Sequence, residues 1–187
     1  MVNVNRSLPD ASRRVARILF DEEQLAAIVD GLARRIDEDY AASREPLVLV
    51  GVMKSCLHFL SDLSRRMRAP HEVELIFAKS YHGDHSSGVV TLSREPEIPL
   101  AGKRVLVVED IYDTGRTLAR VLEHLRRFVP AGIEVCVLFS KPQAHELALD
   151  VKYVGREIPN DFIVGYGLDY NEQYRDLPFV GIAREAQ

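Results

Sequence analysis

The chain has 187 residues, 47% of them hydrophobic and 28% charged, which is the size and make-up of one ordinary globular domain and excludes a disordered or collagen-like polymer. Twenty-four Lys and Arg against 28 Asp and Glu give a formal charge of -4, so the surface as a whole is no electrostatic trap for phosphate polymers and nucleic acid is not an expected partner. A chain of this length buries roughly 70% of its unfolded surface and needs no disulfide or structural metal to stay folded.

Met1 to Arg6 contains no apolar h-region, and the longest apolar run, Leu47 to Met53, stops at Lys54. Neither export nor membrane insertion is expected. Cys56 and Cys136 sit in apolar stretches without C-x-x-C or Cys/His ligand spacing, which reads as buried, reduced thiols and a cytoplasmic location.

In chain order, Leu25, Ile28, Val29, Leu32 and Ile36 recur at helical spacing, with Asp21 placed to cap and Glu22 and Glu23 in the first turn, so a helix is predicted from Asp21 to near Tyr40. Pro46 to Val52 is a short, continuous, β-branched run, the pattern of a strand covered on both faces. Cys56, Leu60, Leu63 and Met67 then form a helical stripe. Val73 to Tyr81 reads as a strand and Ser80 to Gly88 as a polar loop. Lys103 to Val108 repeats the buried-strand pattern, Leu118, Val121, Leu122 and Leu125 mark a helix, and Ile133 to Phe139 a further strand. This βαβ alternation predicts a parallel α/β sheet. Past Asp150 the apolar pieces shorten, and a small irregular lobe is expected there.

The most informative segment is Val105 to Thr117, where a buried strand is expected to end in Glu109, Asp110 and Asp113 and run through a Thr/Gly turn into a helix. In an open α/β sheet, ligands bind beyond the carboxyl ends of the strands. Thr114, Gly115, Arg116 and Thr117 would gather backbone N–H groups, hydroxyls and a helix N-terminus around one concavity suited to a phosphate. The acids suit sugar hydroxyls, a divalent cation or a cationic transition state, so together the features point to a phosphorylated sugar. In the bland alternative Asp113 or Thr114 only caps the helix, which explains one residue and leaves the clustered acids unexplained. G-x-x-x-x-G-K-[ST] and G-x-G-x-x-G are both absent.

Val107-Val108-Glu109-Asp110-Ile111-Tyr112-Asp113-Thr114-Gly115-Arg116-Thr117 resembles the phosphoribosyl-pyrophosphate motif of type I phosphoribosyltransferases, in the form found in the hypoxanthine-guanine branch. Val50 to Lys54 resembles the pyrophosphate strand and loop of that family, Ser80-Tyr81 the start of its flexible lid, Val137 to Pro142 its purine-contacting strand, and Ile158 to Pro178 its purine-binding lobe. The resemblance covers roughly residues 16 to 182. It implies a single domain with a parallel-sheet core over about 42–150, helices on both faces, and a small hood mainly from 155–187 joined by N-terminal residues.

The resemblance also implies the chemistry: a purine ring nitrogen attacks C1 of phosphoribosyl pyrophosphate and expels pyrophosphate, with Mg2+ bound. Glu109 and Asp110 would hold the ribose hydroxyls and magnesium-linked water, and Asp113 would face purine N7 as base or hydrogen-bond partner. Asp113 to Thr117 would wrap the 5'-phosphate. Lys141 would donate to the 6-oxo group, a choice that opposes the amino group of adenine because an ammonium has donors and no acceptor. Phe162 would stack on the base, and main-chain carbonyls near Ile163 and Asp169 would meet the 2-amino group of guanine. Asp169 would ligate magnesium; Met53, Lys54, Ser55 and Arg175 would serve pyrophosphate. Ser80 and Tyr81 would close over the site.

Several alternatives stay open on the residues alone. Phe162 could be core, Lys141 a solvated strand end and Arg175-Asp176 an exposed ion pair. His82 and His85 form an H-x-x-H spacing better read as solvated loop residues than as zinc ligands. Where the family usually has Gly after the loop lysine, this chain reads Lys54-Ser55-Cys56, so a positive φ there would strain Ser55; the family's peptide before that lysine, here Met53-Lys54, can be cis. A xanthine-preferring enzyme, and a non-catalytic nucleotide-sensing or RNA-binding regulator on the same fold, are the rival functions. A homodimer or homotetramer is the assembly that the resemblance implies.

Overall fold

The computed structural model describes residues 15–43, 45–80, 90–92 and 95–183, without the side chains of Lys79, Ser80, Val90 and Thr91. The chain opens with β1 (Val15–Phe20) and α1 (Glu22–Tyr40), then β2 (Leu47–Met53), α2 (Leu57–Arg66), β3 (His71–Ser80) and β4 (Val90–Leu92). It continues through β5 (Arg104–Tyr112), α3 (Arg116–Arg126), β6 (Gly132–Ser140), a 3-10 turn (Pro142–Ala144), β7 (Tyr153–Glu157), β8 (Ile163–Val164) and β9 (Val180–Ala183).

Helix α1 begins where the sequence places it. The Asp21 carboxylate accepts from Gln24 N at 2.8 Å and the Gln24 side chain accepts from Asp21 N at 3.0 Å, so two of the donors a helix start leaves unpaired are satisfied reciprocally. Its apolar stripe, Leu25 to Ile36, is buried against the sheet.

Among the described residues the main sheet runs β4-β3-β2-β5-β6-β7, with β3, β2, β5, β6 and β7 parallel and β4 antiparallel at the edge. Side chains alternate along each strand and therefore divide between two cores. Leu47, Leu49, Leu106, Val108, Cys136 and Leu138 pack with α1 and α2. Val48, Val50, Val105, Val107, Val135 and Val137 pack with α3. Helices thus cover both faces, which is why the strands read as unbroken apolar runs. Both cysteines are buried free thiols.

After β2 the chain adds β3 on one side and later β5 on the other. The carboxyl ends of β2 and β5 therefore diverge at a topological switch point, the place where open α/β sheets bind ligands. A second, antiparallel sheet, β1-β9-β8, joins the start of the described chain to its end.

Strand β5 ends in the acids as expected: it stays paired with β6 through Glu109, Ile111 and Tyr112, so the first two acids lie inside the strand and Asp113 just beyond it. One expectation needs correcting. The residues after Asp150 are not all irregular, because β7 pairs parallel with β6 and completes the main sheet, burying Tyr153. Gly155 makes this possible, since a Cβ there would come within 2.5 Å of Leu138 O and 2.7 Å of Ile28 Cγ2. Among the described residues no helix is long and apolar enough to cross a membrane.

Candidate active site

At the end of β5, Glu109 and Asp110 are 7% and 2% exposed. Burial pushes the Glu109 carboxyl well above the usual carboxylate range, and the neighbouring Asp110 charge and hydrogen bond push it further. Burial raises Asp110 as well, partly offset by hydrogen bonds from Glu109, Ser55 and the main chain of Asp110 and Ile111. Glu109 Oε2 and Asp110 Oδ2 are buried without a hydrogen-bond partner. Orphaned acceptors of this kind cost free energy until donors or a cation reach them.

Beyond them the chain turns through Asp113 to Gly115, which is the N-cap of α3 at φ 87° and carries no side-chain cap. The bland alternative is met only by a long contact: Arg116 N donates to Thr114 Oγ1 at 3.4 Å, which leaves the clustered acids unexplained. The Arg116 guanidinium turns away to Glu146, with Nε and Nη2 at 2.7 and 2.6 Å from Oε2.

The ends of β5 and β6 meet where Lys141 N donates to Tyr112 O at 2.9 Å. Lys141 is only 6% exposed and its Nζ lies 3.5 Å from Asp113 Oδ2, so it is no solvated strand end. From the other side, Phe162, Ile163, Leu168 and Asp169 wall the same cleft of about 270 Å³, which Ser55 and the Glu109 to Thr117 turn line from below. Phe162 is exposed, edge-on to Tyr170 with ring centroids 5.8 Å apart, rather than part of the core. A larger hollow of about 680 Å³ lies at the amino ends of the strands, lined by Asp30, Arg34, Asp37, Arg66 and Arg68 among others, and holds none of the candidate residues.

Arg175 ties the rim together. It bonds Asp169 Oδ1 at 2.9 Å, Gly167 O at 2.8 Å and Glu172 Oε2 at 3.2 Å, and its Nε is buried without a partner. Glu172 Oε2 also meets Lys54 Nζ at 3.0 Å. The Met53–Lys54 peptide is cis, and Ser55 is not among the residues at positive φ, so the strain a side chain would suffer there does not arise.

The structure thus gathers Ser55, Glu109, Asp110, Asp113, Thr114, Gly115, Thr117, Lys141, Phe162, Ile163 and Asp169 around one cleft. Met53, Lys54, Arg116 and Arg175 do not line it. The Ser80 side chain, Tyr81, His82 and His85 lie outside the described residues. Sequence reasoning missed Tyr112, which lines the cleft from within the motif, and Glu172, which becomes notable only when Lys54 and Arg175 arrive beside it. Among the described residues no three His, Cys, Asp or Glu side chains form a ready metal cage, Glu109, Asp110 and Asp169 included. The donor set is all carboxylate oxygen, with two oxygens unpartnered, and fits Mg2+, which usually takes one or two carboxylates plus substrate phosphates rather than an all-protein cage.

The family model for the phosphoribosyl transferase domain matches residues 16–171, and the chain belongs to that family. It is similar to the hypoxanthine phosphoribosyltransferase of Salmonella typhimurium, 38% identical over 170 residues that span 90% of this chain and 96% of that protein. It is 39% identical over 172 residues to the hypoxanthine-guanine phosphoribosyltransferase of Mycobacterium avium, covering 89% of this chain and 85% of that one. Among solved structures, the hypoxanthine phosphoribosyltransferase of Staphylococcus aureus superposes with a TM-score of 0.86 at 35% identity, over 92% of this chain and 94% of its own.

Proposed function

We infer that the chain is a purine-salvage enzyme that transfers the 5-phosphoribosyl group from phosphoribosyl pyrophosphate to hypoxanthine, and to guanine, giving IMP or GMP and pyrophosphate. One observation carries this reading: two buried carboxyls with orphaned oxygens stand beside a helix N-terminus that starts at a glycine, at the sheet's switch point. The first suits a pentose that brings hydroxyl donors. The second suits its phosphate.

In the reaction the bond from C1 to the pyrophosphate oxygen breaks, its electron pair leaves with pyrophosphate, and the purine nitrogen supplies the pair for the new bond to C1. Positive charge builds on the ribose between those events. Glu109 and Asp110 accept from its hydroxyls, and their charge favours the cation in a site where burial strengthens electrostatics. The open amides of the Thr114 to Thr117 turn hold the 5'-phosphate. Asp113 takes the N7 proton or hydrogen-bonds it, and buried Lys141 donates to the 6-oxo oxygen; leaving that ammonium unpaired disfavours adenine. Phe162 supplies a ring for the base to stack on, and carbonyls near Ile163 and Asp169 receive the 2-amino group of guanine. Bound Mg2+ would neutralise pyrophosphate charge, held by Asp169 with Glu109 and Asp110. Arg175, Lys54, Met53 and Ser55 complete the pyrophosphate side, and family resemblance supports a role for Ser80 and Tyr81 in closing over the site.

Family resemblance supports the further expectations of a cytoplasmic enzyme that assembles as a homodimer or homotetramer, which sedimentation of the purified protein would measure. For the activity, purified protein is given phosphoribosyl pyrophosphate, Mg2+ and hypoxanthine, guanine, xanthine or adenine in separate reactions. IMP and GMP should form and AMP should not. Failure to form a nucleotide from any 6-oxopurine would overturn the reading.

A further inference from the structure

We propose that Tyr112 is a positioning residue: it pins the segment after Lys141 beneath the phosphate turn and so holds that turn open for a 5'-phosphate. The proposal rests on the phosphoribosyl reading above and adds a part to it. Tyr112 is 4% exposed, between Ile111 and Asp113, and is one of the residues lining the cleft. Its hydroxyl donates to Leu147 O at 2.5 Å and accepts from Leu149 N at 3.0 Å. The His145 ring stacks on it, with centroids 3.7 Å apart and planes 15° from parallel, while His145 Nε2 is 3.2 Å from Ser140 Oγ. The residues from 145 to 149 are thereby fixed to β5 by one side chain.

That segment in turn holds the phosphate turn. Glu146 N and Leu147 N both donate to Thr114 O at 3.1 Å, and the Glu146 carboxylate takes the Arg116 guanidinium. A carbonyl facing a phosphate would repel it; Thr114 O is instead taken up by Glu146 N and Leu147 N, so it does not compete with the amides of the turn for that place. The tyrosine ring is also the floor of the turn. A Cβ on Gly115 would lie 2.9 Å from Tyr112 Cε2 and 3.2 Å from Leu147 O, so the turn rests directly on ring and segment. Tyr112 O meanwhile accepts from Lys141 N. One residue thus fixes both the phosphate turn and the start of the segment that carries the base-recognising lysine.

The hydroxyl makes two hydrogen bonds, to Leu147 O and from Leu149 N, neither with a residue assigned to pyrophosphate or base. Tyr112→Phe keeps the ring and removes those bonds. Its dissociation constants for ribose 5-phosphate and IMP should rise about three- to ten-fold, the size expected for lost hydrogen bonds. The inhibition constant of pyrophosphate and the KM for hypoxanthine should stay within about two-fold. Glu146→Gln, an exposed change that leaves the fold intact, should weaken the same two ligands by a smaller factor and carries the test if Tyr112→Phe does not fold. Equal losses for pyrophosphate and ribose 5-phosphate would mean general loosening and overturn the proposal, as would unchanged binding of both. A wild-type protein that binds ribose 5-phosphate, shows the selective Tyr112 effect and makes no nucleotide would overturn the enzymatic reading and leave this one standing.

Discussion

The acids at the end of β5 and those on the hood side solve opposite electrostatic problems. Glu109 and Asp110, at the end of β5, are buried, and burial raises both. Asp169 and Glu172, on the hood side, already have cations: Arg175 meets both, and Lys54 meets Glu172. The Lys54 and Arg175 side chains hold the Glu172 carboxyl below its ordinary value. The first pair stores an unmet need that a ligand fulfils. The second set holds its cations in readiness, and an incoming polyanion must compete for them. Backbone conformation matches this division: β5 is regular strand, whereas Tyr166, Asn171, Glu172 and Tyr174 all sit at positive φ, where side chains are rarely found.

Neutralising the buried pair should have the largest effect. Glu109→Gln with Asp110→Asn should lower kcat/KM for phosphoribosyl pyrophosphate by about 100- to 1000-fold, in the range for removing electrostatic stabilisation of a transition state. Steady-state kinetics at saturating hypoxanthine would measure it; a loss under five-fold would place the ribose elsewhere.

Next in size is Lys141→Gln, which exchanges a buried ammonium for an amide that can both donate and accept. Turnover of hypoxanthine should fall about ten- to hundred-fold while discrimination against adenine narrows. Competition between the two bases in one assay would read this, and undiminished discrimination would contradict the role given to Lys141.

A stability measurement separates the two sets without any turnover. Because the folded pKa of Glu109 is raised, its contribution is fully present below the ordinary carboxylate pKa and is lost as pH rises through the folded value, where a buried charge must form. Glu109→Gln carries no such charge. In thermal melts of the ligand-free protein, its Tm relative to the parent should therefore improve as pH rises from about 4.5 upward. A Tm difference independent of pH would show that Glu109 is not held protonated by the fold.

The smallest effect is expected at the rim. Glu172→Gln releases Lys54 and Arg175, and pyrophosphate should bind about two- to five-fold more tightly, since exposed ion pairs contribute little. Product inhibition would measure it, and weaker pyrophosphate binding would show that Glu172 organises the cations rather than competing for them.

Much of this was legible in the sequence where a local pattern and the tertiary environment agree. The α1 cap and stripe, and the runs in β2 and β6, follow from spacing and two-sided burial. The near-complete burial of Glu109 and Asp110 was not, because carboxylates are poor strand-core residues by local rules and here sit within a strand paired with β6. Strands β1 and β9 are short pieces that pair across nearly the whole chain, and β7 hides behind a glycine whose use depends on α1 lying over it. At the site, the motif gave the acids and the turn, whereas Tyr112 acquires its part from Leu147 and Leu149, and Glu172 from Lys54, contacts that no short-range pattern encodes.

The most direct test of the buried pair as the sugar's seat is the proton count of binding. IMP with Mg2+ is titrated calorimetrically into the protein near pH 6 in two buffers of different ionisation enthalpy, beside the same titration of Glu109→Gln. Parent protein should release a proton as ribose hydroxyls and the cation reach Glu109 and Asp110, and the variant should release measurably less. Identical proton release from both proteins would contradict the assignment.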